Sequence, residues 1–177
     1  MTPRPGDFAC VHVKGNVGTL ITLGQFLNGS RAEWYDHACV YVGQPDLQAP
    51  WGYVMGAQPS GARLDPLRHA QYDGTDSNWL WSTGKINLVD AQRQQIVASA
   101  LACKGIPYGW ADYFALAAHR FRIPIPHLRA YIASSKSMIC SQLVAWCYEQ
   151  AGIQLFSDER HWEGYVTPAD LAELISA

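Results

Sequence analysis

The fold is decided by the stretch Tyr35-Asp36-His37-Ala38-Cys39-Val40-Tyr41-Val42-Gly43. In a β-strand, successive side chains point to opposite faces of the sheet. One face of this segment therefore carries Tyr35, His37, Cys39 and Tyr41, and the other carries Asp36, Ala38, Val40 and Val42. The pattern predicts a strong strand that holds a histidine and a cysteine on the same face.

The flanking segments predict a small antiparallel sheet packed with helices. A turn at 44–50 and a strand at 51–58 form a β-hairpin with the first strand. Further strands are predicted at 8–13 and 79–86, with a short helical piece opening at 65–67. Capping residues, helical spacing of apolar residues and terminal glycines predict helices at 16–27, 90–104, 111–119, 140–151 and from Thr167 onward. We therefore expect a single α+β domain over residues 1–177.

Composition and charge argue against several functional classes. The chain has 177 residues and a net charge of −2, and it lacks the basic stripe that marks nucleic-acid binding. No apolar run reaches the length of a membrane span. The N-terminus has no apolar signal-peptide region, so we expect synthesis in the cytoplasm. The five cysteines form no C-x-x-C pair, which argues against a disulfide framework and a structural zinc site and leaves room for a reactive thiol.

Cys140 is the strongest candidate nucleophile. It stands at the predicted start of a helix, where unpaired backbone N–H groups and the positive end of the helix dipole converge. Both favour the thiolate, which is the reactive form of cysteine, and the same amides can bind an oxyanion. A buried structural cysteine would occupy the same position equally well.

His37 is the candidate base, although a lone histidine within a strand is more often a structural group. Cys39 lies two residues further along the same face. The two side chains could share a metal ion, but no third and fourth ligands have suitable spacing. Cys39 could also be an alternative nucleophile, although a thiol in the middle of a strand lacks the activation of a helix terminus.

The ordered set of motifs resembles the circularly permuted, YiiX/YebB-like branch of the NlpC/P60 superfamily of papain-like thiol hydrolases. The matching segments are Gly6-Asp7-Phe8, His37-Ala38-Cys39-Val40-Tyr41-Val42-Gly43, Val54-Met55-Gly56-Ala57, Gly61-Ala62-Arg63-Leu64-Asp65-Pro66-Leu67, Gly105-Ile106-Pro107-Tyr108-Gly109-Trp110, Ile139-Cys140-Ser141-Gln142-Leu143-Val144 and Val166-Thr167-Pro168-Ala169-Asp170-Leu171. Several motifs in the right order are more specific than any one of them. Ordinary members place the cysteine before the histidine, and the reversed order here marks the permutation.

The resemblance implies a mechanism in which Cys140 attacks a carbonyl and His37 removes its proton, forming a thioacyl-enzyme that water resolves. It also implies that Tyr108 lies near the oxyanion, although a half-buried aromatic residue in a turn is an equal alternative. Many permuted members carry an acid where this chain has Gly56. Gln58 would share a strand face with Gly56, so we expect it to be a possible orienting partner for His37. A third partner from elsewhere, a dyad acting alone and a degenerate site remain the alternatives.

Three functions are consistent with these residues. The first is a cysteine amidase or endopeptidase acting on peptides, for which the family resemblance favours the stem peptides of peptidoglycan. The expected lack of a signal peptide would suit a phage-encoded or virion-associated enzyme. The second is a lipid-directed thioesterase or acyltransferase of the same superfamily, with apolar segments at 18–27 and 123–126 as a lipid-facing wall. The third is a binding module without turnover. None of these needs a cofactor or a metal, and the oligomeric state is not predicted.

Overall fold

The computed structural model describes residues 2–13, 34–109, 138–156 and 166–176. The strands are β1 (Phe8–Val11), β2 (His37–Gly43), β3 (Tyr53–Gln58), β4 (Gly61–Pro66) and β5 (Trp79–Trp81), and the helices are α1 (His69–Tyr72), α2 (Asp90–Ala102), α3 (Cys140–Gln150) and α4 (Pro168–Ser176). None of these helices is long and apolar enough to cross a membrane. The α+β class with a small antiparallel sheet is confirmed, whereas the predicted helices at 16–27 and 111–119 lie outside the described residues.

The sheet has the strand order β4-β3-β2-β1-β5, and all of its pairs are antiparallel. In the pairing of β1 with β2, Val11 lies opposite His37 and Phe8 lies opposite Val40. The predicted hairpin is formed by β2 and β3, with Val40 opposite Met55. The central position of β2 follows from its apolar residues on both faces, because a strand with neighbours on both edges and layers on both faces needs them.

Residues 61–66 form a strand, so the prediction of a helical piece at 65–67 is wrong. All six residues pair with β3, from Gly61 opposite Gln58 to Pro66 opposite Tyr53. Gly61 has a φ of +105°, which suits the tight turn between the two strands. The predicted third strand at 79–86 is shorter than expected and ends at Trp81, because the chain turns at 82–85.

The helix boundaries agree closely with the predicted caps. Helix α2 begins at Asp90, but the cap residue is Val89, whose backbone N–H donates to the Gln92 side chain at 3.1 Å. Helix α3 begins at Cys140, and its cap Ile139 donates in the same way to Gln142 at 2.8 Å. A side chain three residues ahead thus satisfies the cap amide at both starts.

The sheet separates two apolar clusters of unequal size. The larger cluster lies between the sheet and helices α2, α3 and α4, and we call this the helix side of the sheet. Its strand residues are Phe8, Cys10, Ala38, Val40, Val42, Met55, Ala57 and Ala62. The smaller cluster, on the opposite face, consists of Ala9, Val11, Cys39, Tyr41, Val54, Leu67 and Trp81. The alternation predicted for residues 36–42 is therefore confirmed.

Buried polar contacts tie the N-terminal turn to the helix side. Arg93 of α2 donates to Asp7 at 2.8 Å, and both side chains are nearly inaccessible. The hydroxyl of Tyr148 in α3 donates to the Gly6 carbonyl at 2.8 Å. These bonds fix two helices against the entry to β1, because an unpaired polar group at this depth would cost free energy.

The outer edge of β4 is occupied by backbone from the loop after α2. The amide of Ala62 donates to the Ile106 carbonyl at 2.8 Å, and the Gly105 amide donates to the Ala62 carbonyl at the same distance. This loop leads directly to Pro107 and Tyr108. The loop that bridges to Met138, just before α3, is thereby held against the sheet.

Candidate active site

Cys140 is the first residue of α3, and its thiol packs into the helix side of the sheet. Backbone N–H groups of Ala38, Ser141 and Cys140 itself point at the sulfur and favour its thiolate. Burial is the larger effect and raises the pKa of the Cys140 thiol to about 11. At neutral pH the group is therefore a thiol that needs a base to become a nucleophile.

The start of α3 is held in place from two sides. The hydroxyl of the fully buried Ser141 donates to the Val166 carbonyl at 2.6 Å, which joins α3 to the chain just before α4. The Gln142 side chain accepts from the Ile139 amide. Leu143 and Val144 follow as fully buried residues of the core. Because packing and hydrogen bonds both fix this turn of helix, the position of the Cys140 sulfur is strongly determined.

His37 is the first residue of β2 and is partly buried on the face opposite the helices, which we call the cleft side. A Cβ atom built on Gly56 would lie 3.0 Å from its Nε2 and 3.4 Å from its Cε1, so the imidazole lies directly over the glycine. Burial lowers the pKa of His37 from 6.5 to about 4, against a smaller opposing effect of the Asp65 carboxylate. The ring is therefore neutral at physiological pH and able to accept a proton.

The structure brings Cys140 and His37 to the same point of β2 but to different sides of it. The Ala38 amide that faces the Cys140 sulfur belongs to the residue after His37. Within the described part of the chain, no hydrogen bond joins the thiol to the imidazole. The predicted dyad stays a prediction, and its two members are separated by the thickness of one strand.

Gln58 and Asp65 line the same cleft as His37. The Gln58 amide donates to Asp65 Oδ2, and the described residues include no hydrogen bond from Gln58 to His37. Arg63 Nε lies 3.1 Å from Asp65 Oδ1. Sequence reasoning did not single out Asp65, because residues 65–67 were assigned to a helical piece. The alternation of Ala62 and Leu64 with Arg63 and Asp65 was the signal that could have placed its side chain on this face.

Tyr108 lies beside the segment that leads into α3. It forms an isolated parallel bridge with Met138, supported by the Gly109 amide donating to the Met138 carbonyl at 3.1 Å and the Met138 amide donating to the Pro107 carbonyl at 3.2 Å. The side chain is partly buried and packs against the helix-side core. The backbone of Tyr108 thus pairs with the chain two residues before Cys140, and the expected place of its side chain near an oxyanion stays a prediction.

An open cleft of about 810 Å³ occupies the cleft side of the sheet. His37, Cys39, Gly56, Gln58, Asp65 and Trp79 are among the residues that line it. Cys39 is only 2% exposed, and burial raises the pKa of its thiol further than that of Cys140. Cys39 is therefore the less readily ionised of the two thiols. Among the described residues, no group of three or more His, Cys, Asp or Glu side chains could hold a metal ion.

A histidine–aspartate contact that sequence reasoning also missed lies at the end of β1. His12 Nδ1 is 3.1 Å from Asp36 Oδ2, and the His12 ring stacks on Trp34 with centroids 3.9 Å apart. Asp36 is fully buried, and its Oδ1 accepts from the Val13 amide at 2.8 Å. Although it is within ion-pair distance of His12, Asp36 Oδ2 has no hydrogen bond of good geometry. Burial raises the pKa of Asp36, and the Val13 amide and His12 oppose that rise.

Comparison with known proteins supports the architecture. No protein-family model matches the chain, and no curated protein matches it. The chain is similar to the crystal structure of a protein described as the metalloprotein YiiX from Escherichia coli O157:H7, of the family DUF1105. The TM-score is 0.57 at 18% sequence identity, and the alignment covers 98% of this chain and 81% of that one. At this identity the likeness shows the fold alone.

Proposed function

We propose that this chain is a cysteine hydrolase with a circularly permuted papain-like fold, and that it cleaves amide bonds in peptides of the type found in peptidoglycan stems. The observation that carries the proposal is the placement of Cys140 at the first residue of α3, a helix start held by the bonds of Ser141 to Val166 and of Ile139 to Gln142. The structural likeness to YiiX and the order of the sequence motifs support the fold. The substrate class rests on the family resemblance.

The pKa values favour general-base catalysis over a preformed ion pair. Because the pKa of the Cys140 thiol is about 11 and that of the His37 imidazole is about 4, the resting pair consists of a thiol and a neutral imidazole. His37 takes the thiol proton as sulfur attacks the carbonyl carbon, and the amides at the helix start stabilise the oxyanion. The imidazolium then protonates the departing amine, and water hydrolyses the thioester with His37 again as base.

This mechanism requires a movement of the His37 side chain. His37 and Cys140 lie on opposite sides of β2, so the dyad forms only through a local rearrangement of the backbone at the start of this strand, where His37 pairs with Val11. Catalytic hydrogen bonds are often poorly aligned before substrate binds and tighten in the complex. Substrate that fills the cleft beside His37 is the expected trigger.

No metal takes part in the proposed steps. YiiX is described as a metalloprotein, whereas among the described residues of this chain no group of three or more His, Cys, Asp or Glu side chains could hold a metal ion. All of the acid–base chemistry is therefore assigned to His37, and the electrostatic stabilisation to backbone amides.

The decisive experiment is to trap the acyl-enzyme. Purified protein is incubated with a mixture of peptidoglycan stem peptides, quenched in acid and analysed by mass spectrometry for a thioester on Cys140. We expect the adduct and product in wild type, neither in Cys140→Ala, and a loss of turnover in His37→Gln. Cys39→Ala is the matched control, since it removes the other thiol beside His37, and it should retain most activity. Turnover that survives Cys140→Ala and disappears in Cys39→Ala would reverse the assignment of the nucleophile.

A binding module without turnover is the second candidate, and one observation favours it. The Cys140 residue is 2% exposed, and its thiol pKa is raised. For a binding module, the same experiment gives no adduct and no product, and Cys140→Ala binds stem peptides as wild type does. The lipid-directed alternative depended on residues 18–27 and 123–126, which lie outside the described residues, and it stays a prediction.

A further inference from the structure

Related proteins are expected to carry an acid at the position of Gly56, and here the His37 imidazole occupies the space of that side chain. Gly56 has no side chain, and the His37 ring lies in the space that a Cβ would enter at 3.0 Å from Nε2. An acidic residue at position 56 would displace the imidazole. The orienting carboxylate for His37, if the site has one, must therefore come from another position on the cleft side.

Among the described residues, two carboxylates line the cleft, those of Asp65 and Asp76, and their hydrogen-bond partners differ. Asp76 is engaged in its own turn, where its Oδ1 accepts from the Asn78 amide at 3.0 Å and from the Asn78 side chain at 2.9 Å. Asp65 lies on β4, directly opposite Val54 of β3. Its neighbours Ala62 and Leu64 pack on the helix side, so Asp65 shares the cleft side with His37 and Gly56.

The Asp65 carboxylate is held from two directions. Gln58, at the end of β3, donates its amide to Oδ2, and Arg63 Nε lies 3.1 Å from Oδ1. A side chain fixed by two partners presents its charge in a constant direction, which a free surface aspartate does not. Strand β3 lies between β4 and β2, and Gly56 of β3 carries no side chain between Asp65 and His37, which line the same cleft.

We propose that Asp65 is the positioning residue for His37, and that Gln58 holds the Asp65 carboxylate in place for that role. The inference rests on the proposed function, in which His37 is the base. The charge of Asp65 selects the ring orientation and tautomer of His37 across the cleft and stabilises the imidazolium that forms during the reaction. Gln58 thus acts on the imidazole through Asp65.

The electrostatics of the cleft agree with this arrangement. Asp65 is the charged group whose field raises the pKa of His37 against the effect of burial. The other titratable or charged groups lining the cleft are His12 from the end of β1, Cys39 on β2, Arg68 before α1 and Asp76 from the loop after it. Cys39 remains a neutral thiol, because burial raises its pKa. Asp76 is the matched carboxylate against which Asp65 can be compared.

The test reads the tautomer of His37 directly. Long-range ¹H–¹⁵N correlation spectra at pH 7 report which ring nitrogen carries the proton, and a titration from pH 8 to 4 reports the protonated fraction. We expect one tautomer in wild type, a mixed or reversed tautomer in Asp65→Asn with a smaller protonated fraction at acidic pH, and recovery in Asp65→Glu. Asp76→Asn should match wild type. An Asp65→Asn spectrum that keeps the wild-type tautomer and titration overturns the proposal.

Kinetics separate failure of this inference from failure of the proposed function. In Asp65→Asn we expect kcat to fall roughly 10-fold or more with KM nearly unchanged, because orientation of the base matters in the transition state. Gln58→Ala should show the same pattern at smaller size. If His37→Gln abolishes turnover and Asp65→Asn does not alter it, the positioning role is wrong while the hydrolase stands. If no variant affects turnover, the hydrolase is wrong, and the tautomer measurement still decides whether Asp65 orients His37.

Discussion

The two sides of the sheet are built from the same strands and differ in almost every other respect. On the helix side, three helices cover an apolar layer, which also holds buried polar contacts such as Arg93 to Asp7 and Tyr148 to Gly6. On the cleft side, a smaller cluster adjoins an open cleft lined by polar side chains. The nucleophile candidate is fixed in the first environment and the base candidate in the second. The rigidly packed nucleophile candidate and the base candidate beside the open cleft thus lie on opposite faces of the sheet.

The largest effect on stability is expected from the buried ion pair of the helix side. Asp7→Ala removes the partner of Arg93 and leaves a nearly inaccessible guanidinium unpaired, which should lower the free energy of unfolding by about 3–5 kcal/mol. The exposed pair of Arg4 and Asp90 is the matched control. Arg4→Ala should cost about 0–1 kcal/mol. Urea unfolding of both variants makes the measurement, and equal losses would show that burial adds nothing to the ion pair of Arg93 and Asp7.

The apolar layers should differ in the same direction. Leu143 of α3 is fully buried in the helix-side core, and Leu67 is the corresponding leucine of the cleft-side cluster. Leu143→Ala should lower the free energy of unfolding by about 3–5 kcal/mol, because a closed core cannot collapse around the cavity. Leu67→Ala should cost about 2 kcal/mol or less, since the open cleft can relax. Thermal and urea unfolding would detect a reversal of this order.

Much of this division could be predicted from the sequence. The alternation over residues 36–42 assigned His37 and Cys39 to one face and Ala38 and Val40 to the other, and the helical spacing of apolar residues predicted a helix that starts at Cys140. The strand β4 was missed, because Asp65-Pro66 reads as a turn or helix start when the pairing of residues 61–66 with β3 is unknown. Asp65 was therefore absent from the predicted site. The alternation over residues 62–65 was the local signal for a strand, and the pairing with β3 is what gives that signal priority over the turn and helix signal of Asp65-Pro66.

A substitution at Gly56 tests how closely the cleft side is packed around His37. In Gly56→Ala the new methyl group would meet the imidazole Nε2 at 3.0 Å and the Cys39 Cβ at 3.3 Å. We expect a loss of about 1–3 kcal/mol in stability from overpacking, together with a displaced His37 ring. Turnover should fall by more than the loss of folded protein accounts for. Unchanged imidazole chemical shifts in the folded variant would contradict this packing.

The smallest expected effect is a pH dependence of stability carried by His37. Its folded pKa of about 4 lies below the ordinary value of 6.5, so the unfolded chain binds more protons between these two values. The stabilising contribution is complete above pH 6.5 and is lost as the pH falls toward 4, on the order of 1 kcal/mol between pH 6.5 and 5. Asp36, with its raised pKa, contributes with the opposite sign in acid.

The comparison of wild type with His37→Gln isolates the histidine contribution, because Asp36 is present in both proteins. The free energy of unfolding should fall more steeply with acid in wild type than in the variant. Parallel curves across pH 4–7 would show that His37 is more accessible to water than the cleft-side packing implies.

The loop backbone along β4 also has a consequence for behaviour in concentrated solution. Unpaired strand edges invite another chain to add to a sheet, which is a common start of aggregation. Here the bonds of Ala62 with Gly105 and Ile106 occupy part of one outer edge, and the strand at the opposite edge, β5, has only three residues. The sheet therefore offers little template for growth. Its resistance to fibril formation is tied to the same loop that leads the chain toward Tyr108 and the candidate nucleophile.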